Sequence, residues 1–307
     1  MAEPSWWDSS KLRSYQPRCP FLERSSLASK VLESMQRLFI LFIFGFSLRG
    51  FGQSPGSGAQ PIGVAPVAAD NAAKAKALLD QAIQALGGDA YLRIEDTSQT
   101  GRTYSFFHGE PAGTGVLFWR FVKFPDKERI EVTKQRDVAY VYNGIHGYEI
   151  TYKGTAMLDS KTLADYLRRR DHSLEWVLRR WLKENGVALF YDGAAIAAEK
   201  PADQVTVMNA EADSVTLFLD SNTHLPIRKT FTWRDPTDKL RNTEDEVYDA
   251  YRETQGIMTP YSVTRFYNGE MSNQRFLNTV TYNNALNESM FAAKTTYDPN
   301  VLPPPKK

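Results

Sequence analysis

The spacing of apolar residues changes character several times along the chain, and each change predicts a different element. Leu38 to Leu48, LFILFIFGFSL, is an almost unbroken apolar run preceded by Arg37. Ala72, Ala75, Leu79, Ala82, Ile83 and Leu86 then fall on one helical face, and Gly87-Gly88 stops that helix. From Thr97 the period shortens to that of strands. Gln99–Phe107, Val116–Phe124, Glu128–Lys134, Val138–Asn143 and Tyr148–Lys153 are short runs rich in aromatic and β-branched residues. Pro125-Asp126 and Asn143-Gly144 fold them back, the second because Asn-Gly favours a positive φ.

A helical segment interrupts the strands. Leu163, Tyr166 and Leu167 form one short stripe; Leu174, Val177, Leu178, Trp181 and Leu182 form a second after Asp171, a predicted N-cap. Arg168, Arg169, Arg170, Arg179, Arg180 and Lys183 surround the stripes and read as a solvated face, with anion or headgroup contact as the alternative. Strands resume at Ser214–Leu219, Pro226–Arg234, Arg241–Arg252, Tyr261–Tyr267 and Met271–Tyr282, the last two flanking Asn268-Gly269. Short turns make antiparallel neighbours, whereas parallel pairing needs a crossover of about a dozen residues. The expected fold is therefore α+β and mainly antiparallel, a curved sheet with helices packed on its apolar face.

The flanks complete the organisation. A membrane span needs about 20 apolar residues and a secretory h-region about 7–15, so Leu38–Leu48 has export-signal length. Met35 opens directly onto it and Gly50 and Gly52 offer a cleavage site, so residues 35–52 read as a signal peptide, with an uncleaved anchor or a buried helix as alternatives, and 1–34 as a mistaken N-terminal extension. Residues 53–69, rich in Gly, Pro, Ala and Ser, read as a flexible linker, 70–297 as a single domain, and 298–307 as a disordered tail. A cleaved signal would export the mature protein, and the periplasm is its expected location.

Composition narrows the chemistry. With 37 basic and 36 acidic residues the net charge is +1, which gives no reason to expect a nucleic-acid partner. The single cysteine, Cys19, excludes an intrachain disulfide framework and a cysteine-based zinc site. His108, His146, His172 and His224 stand singly, without metal-ligand spacing, so no metal or cofactor is expected. No nucleophile motif is present, and Ser173 after His172 reads as helix-start chemistry. Glu244, Asp245, Glu246 and Asp249 cluster on one predicted strand. They read as a charged edge that discourages aggregation, with a Glu244/Glu246 acid/base pair as the enzymatic alternative.

The remaining candidates are aromatic. Leu117, Trp119 and Phe121 share one strand face, Tyr140 and Tyr142 another, and Trp176 and Trp181 lie on the helical insert. They suit the lining of an apolar cavity and suit a filled core equally well.

The order of certain motifs resembles the outer-membrane lipoprotein carrier and sorting proteins, the LolA/LolB-like family, over residues 74–293. The likeness runs through Ala85-Leu86-Gly87-Gly88, Gly115 to Trp119, Pro125-Asp126-Lys127 with Arg129, and Tyr142-Asn143-Gly144. It continues through Leu225-Pro226-Ile227, Gly256 to Pro260 and Asn283 to Phe291. The resemblance implies a half-barrel with helices capping its mouth, holding lipoprotein acyl chains or lipid in outer-membrane biogenesis. It also implies inner- or outer-membrane lipoprotein-transport components as partners and peripheral membrane contact. Lys123 and Arg170 are the expected headgroup contacts. One departure matters: in the carrier an arginine immediately precedes the proline and helps keep the lid closed, and here that position is Phe124. The expectation is therefore a divergent, non-enzymatic binder of a hydrophobic ligand. An envelope assembly module with a solid core and a hydrolase with an unrecognised carboxylate site are the alternatives.

Overall fold

Period-two alternation becomes one continuous antiparallel sheet in the computed structural model, which describes residues 65–299. The residues read as an extension, a signal peptide and most of the linker, Cys19 among them, lie outside the described residues, as do residues 300–307. Its first half holds β1 (Asp96–Phe107), β2 (Glu110–Pro111), β3 (Val116–Lys123), β4 (Lys127–Val132), β5 (Val138–Asn143), β6 (His146–Thr151) and β7 (Gly154–Met157). The second half holds β8 (Ala188–Ala197), β9 (Lys200–Met208), β10 (Ser214–Asp220), β11 (Pro226–Arg234), β12 (Arg241–Thr254), β13 (Ile257–Tyr267) and β14 (Glu270–Tyr282). The strand order is β7-β6-β5-β4-β3-β1-β14-β13-β12-β11-β10-β9-β8, with β2 paired to β1. Two hairpin meanders are thus joined through β1. The sheet is curved and unclosed, with β7 and β8 as its edges.

Helix α1 (Ala65–Leu86) begins inside the segment expected as linker, where an alanine-rich sequence with Pro66 in the first turn favours it. Its stripe of Ala75, Leu79, Ala82 and Leu86 is buried against the strands of the second half. The Asn71 side chain donates to the Tyr191 carbonyl (2.8 Å) and accepts from the Tyr191 N–H (2.9 Å), so α1 covers part of the β8 edge. Gly87 ends α1 with φ 127, and a Cβ there would lie 2.6 Å from the Gly256 carbonyl oxygen. The glycine both stops the helix and lets it meet the β12–β13 hairpin. A four-residue helix, α2 (Asp89–Leu92), follows.

The helical insert has a topological task. It leaves β7 at one edge and delivers the chain to β8 at the other, so it crosses the width of the sheet. Helix α3 (Ser160–Asp171) is capped by Asp159, and α4 (Leu174–Arg179) by Ser173, whose hydroxyl accepts from the Trp176 N–H at 3.2 Å. Asp171, expected as the second cap, instead closes α3, and Trp181 and Leu182 fall in a 3-10 turn (Trp181–Lys183). Val177, Leu178 and Trp181 are buried with α1, Val205, Leu217 and Val280 in the main core.

On the opposite face the chain returns behind the first meander. The buried Asp96 carboxylate accepts from the N–H groups of Asn284 (2.7 Å) and Leu286 (2.9 Å). Lys123 and Lys127 both pair with Glu288 at 2.7 Å, and Phe291 is fully buried.

Two expectations are corrected here. The carboxylates Glu244 to Asp249 do not form an edge, because β12 lies between β11 and β13. The arginines of α3 and α4 are not a solvated face: Arg168, Arg169, Arg170 and Arg179 point inward, while Arg180 and Lys183 stay outside. β7, β8 and β9 were not expected. β8 is alanine-rich and broken by a register shift between Tyr191 and Gly193, so neither residue type nor alternation advertises a strand.

Candidate functional site

Between the helices and the concave face lies a cavity of about 770 Å³, within the range of roughly 300–1,000 Å³ typical of small-molecule sites. Strand register decides its lining. Phe118, Arg120 and Val122 on β3 stand opposite Val132, Ile130 and Glu128 on β4, which stand opposite Val138, Tyr140 and Tyr142 on β5. Directly opposed residues share a face, so this set looks inward. One wall is apolar: Leu86 from α1, Ile94, Phe118, Ile257, Val263 and Leu277.

The other wall carries buried charge. Arg120 Nε donates to Glu128 at 2.6 Å, and the Tyr166 hydroxyl of α3 donates to the other oxygen at 3.0 Å. Tyr166 stacks on Tyr142 with ring centroids 3.4 Å apart, so this group ties α3 to β4 and β5. Burial alone would raise the Glu128 pKa, but Arg120 and the two hydrogen bonds hold it below the usual carboxylate range. A second group surrounds Glu246. Lys229, only 2% exposed, lies 3.0 Å from it and also donates to the His172 carbonyl at 2.9 Å. Arg265 (3.2 Å) and the Tyr248 hydroxyl (2.9 Å) complete the shell. Burial again opposes ionisation, and Lys229 and Arg265 outweigh it, so Glu246 is held well below its ordinary value.

The insert closes over these groups through arginines. Arg168 pairs with Asp165 at 2.6 Å and lies 3.4 Å above the Trp233 ring. Arg170 donates to the Gly144 carbonyl at 2.6 Å, pairs with Asp171, and faces Trp176 at 4.9 Å. Arg179 lies 3.9 Å over the Phe124 ring and donates to the carbonyls of Leu92 and Ile94. Arg179 of α4 thus holds a cation against the ring of Phe124, the residue that follows β3.

The residues singled out from sequence divide. Tyr142, Trp176 and Arg170 line the cavity. Leu117, Trp119 and Phe121 stand on the other face of β3, where Arg136 lies 5.2 Å from the Trp119 ring and 5.9 Å from that of Phe121. Tyr140 shares the inner face but is absent from the lining, and Trp181 is buried beside His172 in the core. Lys123 is occupied behind the sheet, paired with Glu288 and donating to the Leu286 carbonyl. Sequence reasoning missed Phe118, Arg120, Glu128, Arg265 and Arg275; the signal was the second parity of each strand.

Glu244 and Glu246, the pair behind the enzymatic alternative, both line this cavity, and Lys229 and Arg265 hold Glu246 below its ordinary value. Among the described residues no group of three His, Cys, Asp or Glu is placed to hold a metal, and no helix is long and apolar enough to cross a membrane.

No protein-family model and no curated protein matches the chain. Among solved structures, a DUF1329 family protein from Desulfovibrio piger matches with a TM-score of 0.51 at 14% identity, covering 71% of this chain and 97% of that one. Looser likenesses, both with a TM-score of 0.46, cover the same shares. They are to an outer membrane lipoprotein-sorting protein domain from Vibrio parahaemolyticus at 9% identity and a LolA superfamily protein from Nitrosomonas europaea at 10%. At these identities the likeness concerns the fold alone, an unclosed and mainly antiparallel sheet with a few helices.

Proposed function

We propose that the protein is a non-enzymatic binder of a hydrophobic ligand, lipid or lipoprotein acyl chains, carried in the periplasm during outer-membrane biogenesis. The single observation that carries this reading is the cavity of about 770 Å³ between the inner face of an unclosed sheet and a helical insert. A solid-core assembly module has no use for such a space. The apolar wall binds chains by burial at about 25 cal/mol per Å², without polar specificity. The export-like run Leu38–Leu48 supports the compartment. Exchange with membrane-bound transport components and transient contact with a bilayer follow from the same reading, because such a ligand starts and ends in a membrane.

Titration with a fluorescent fatty acyl probe tests it. Wild-type protein is expected to take up the probe saturably. Met258 lines the cavity, and Met258→Trp should weaken uptake by about tenfold, the equivalent of roughly two buried methylenes. Absence of saturable uptake by the wild type would overturn the reading.

A further inference from the structure

Seven buried side-chain polar atoms among the described residues have no hydrogen-bond partner, and six belong to residues lining the cavity: Tyr91, Arg168, Arg179, Trp233, Arg265 and Arg275. Each of the six is a donor. A buried donor without an acceptor costs about 1–3 kcal/mol, and here the cost is gathered at one place.

Arg275 differs from the other arginines of this set. Arg168, Arg179 and Arg265 bond elsewhere through another nitrogen, to Asp165, to the Leu92 and Ile94 carbonyls and to Glu246. The Arg275 guanidinium has no hydrogen bond or ion pair among the described residues. Its charged neighbours are Arg120 and Arg265, with Glu128 and Glu246, and both carboxylates are already engaged. Glu175 acts on Arg120 from α4, and Arg169 stands near Arg265, likewise without an ion pair among the described residues. Water satisfies a donor but does not neutralise a buried charge. Burial, and then Arg120, push the Arg275 pKa down to about 10, so it stays cationic at neutral pH. Its strand fixes it in the middle of the sheet, opposite Thr103 on β1 and Val263 on β13, with Leu277 two residues on at the apolar wall.

Resting on the reading of the cavity as a hydrophobic-ligand site, we infer that its occupant is an anionic amphiphile. Its carboxylate or phosphate head meets Arg275 beside Arg120 and Arg265, and its chain lies along the Phe118–Leu277 wall.

The test compares dansyl-undecanoic acid with its methyl ester, using dodecyl phosphate and inorganic phosphate as competitors at neutral pH. The acid is expected to bind roughly tenfold tighter than the ester, the worth of one hydrogen bond to a charged group. Arg275→Met should abolish that preference, so that acid and ester bind alike. Dodecyl phosphate should displace the acid and inorganic phosphate should not; the stronger competitor among dodecyl phosphate and unlabelled laurate tells phosphate from carboxylate. Equal binding of acid and ester by the wild type, or an undiminished preference in R275M, overturns the inference while leaving the binder reading intact. Displacement by inorganic phosphate as effective as by dodecyl phosphate overturns the requirement for a chain. Failure of both probes to bind overturns the binder reading itself. Should R275M not fold, the wild-type preference still decides.

Discussion

Single residues on the inner face show how charge is kept beside an apolar core. Glu246 is the hub: Lys229, Arg265 and Tyr248 all bond to it, and Lys229 has no other anion within ion-pair distance among the described residues. Removing one member of a buried pair leaves the other uncompensated, which typically costs about 3–5 kcal/mol. Glu246→Gln is expected to destabilise the protein by about that amount, read as a lower urea midpoint with an unchanged slope. An effect below about 1 kcal/mol would mean that the hub behaves like an exposed ion pair. Gly101 makes a different residue-scale claim. A Cβ there would lie 2.1 Å from the Phe276 carbonyl oxygen and 2.9 Å from the Phe118 ring, at the register shift between Thr100 and Gly101. Gly101→Ala should therefore lower the melting temperature by several degrees, at about 2–4 °C per kcal/mol for a protein of this size.

Elements were read more securely than faces. The strands from β3 to β6 and from β10 to β14 lie close to their expected bounds because aromatic and β-branched runs end at sharp turn signals. The choice of face failed on β3, where Leu117-Trp119-Phe121 and Phe118-Arg120-Val122 are equally apolar at their ends, and only the partner strand breaks the tie. On β14 the alternation Phe276, Asn278, Val280, Tyr282 misleads. The register shift near Asn278 moves the inward parity, so Leu277 and Arg275 share a face with Val280 and Tyr282, and Phe276 is left exposed. The insert's arginines were misplaced because sequence does not reveal that α3 and α4 must cross from β7 to β8 over charged wall residues. Sequence named Asp171 as the cap of α4, but its reading of Ser173 as helix-start chemistry fits the observed cap. Ser173→Ala is expected to cost about 1 kcal/mol and to raise hydrogen exchange in α4 more than in the sheet; uniform exchange would deny the insert any independent opening.

Stability of the folded protein as a whole should follow the sign of its buried ionisations. His172 is held below its ordinary 6.5, by burial first, and its stack on Phe231 at 4.5 Å keeps it in the core. Its contribution is intact above 6.5 and declines as pH falls through the lower folded value. Glu128 and Glu246 are likewise depressed, so their stabilisation is present above 4.5 and is lost as pH falls further. All three act in one direction. Melting temperature should be level near neutrality, decline below about pH 6.5 and fall more steeply below about pH 4.5. A melting temperature unchanged from neutrality to pH 4 would contradict the buried-charge description.

The central claim, that the cavity carries a hydrophobic ligand, meets its most direct test in native mass spectrometry of the full protein purified without added lipid. The predicted result is a bound population heavier than the apo chain, released by mild activation as an amphiphile that ionises in negative mode. A single species at the mass of the bare chain, unchanged after incubation with acyl amphiphiles, would contradict it.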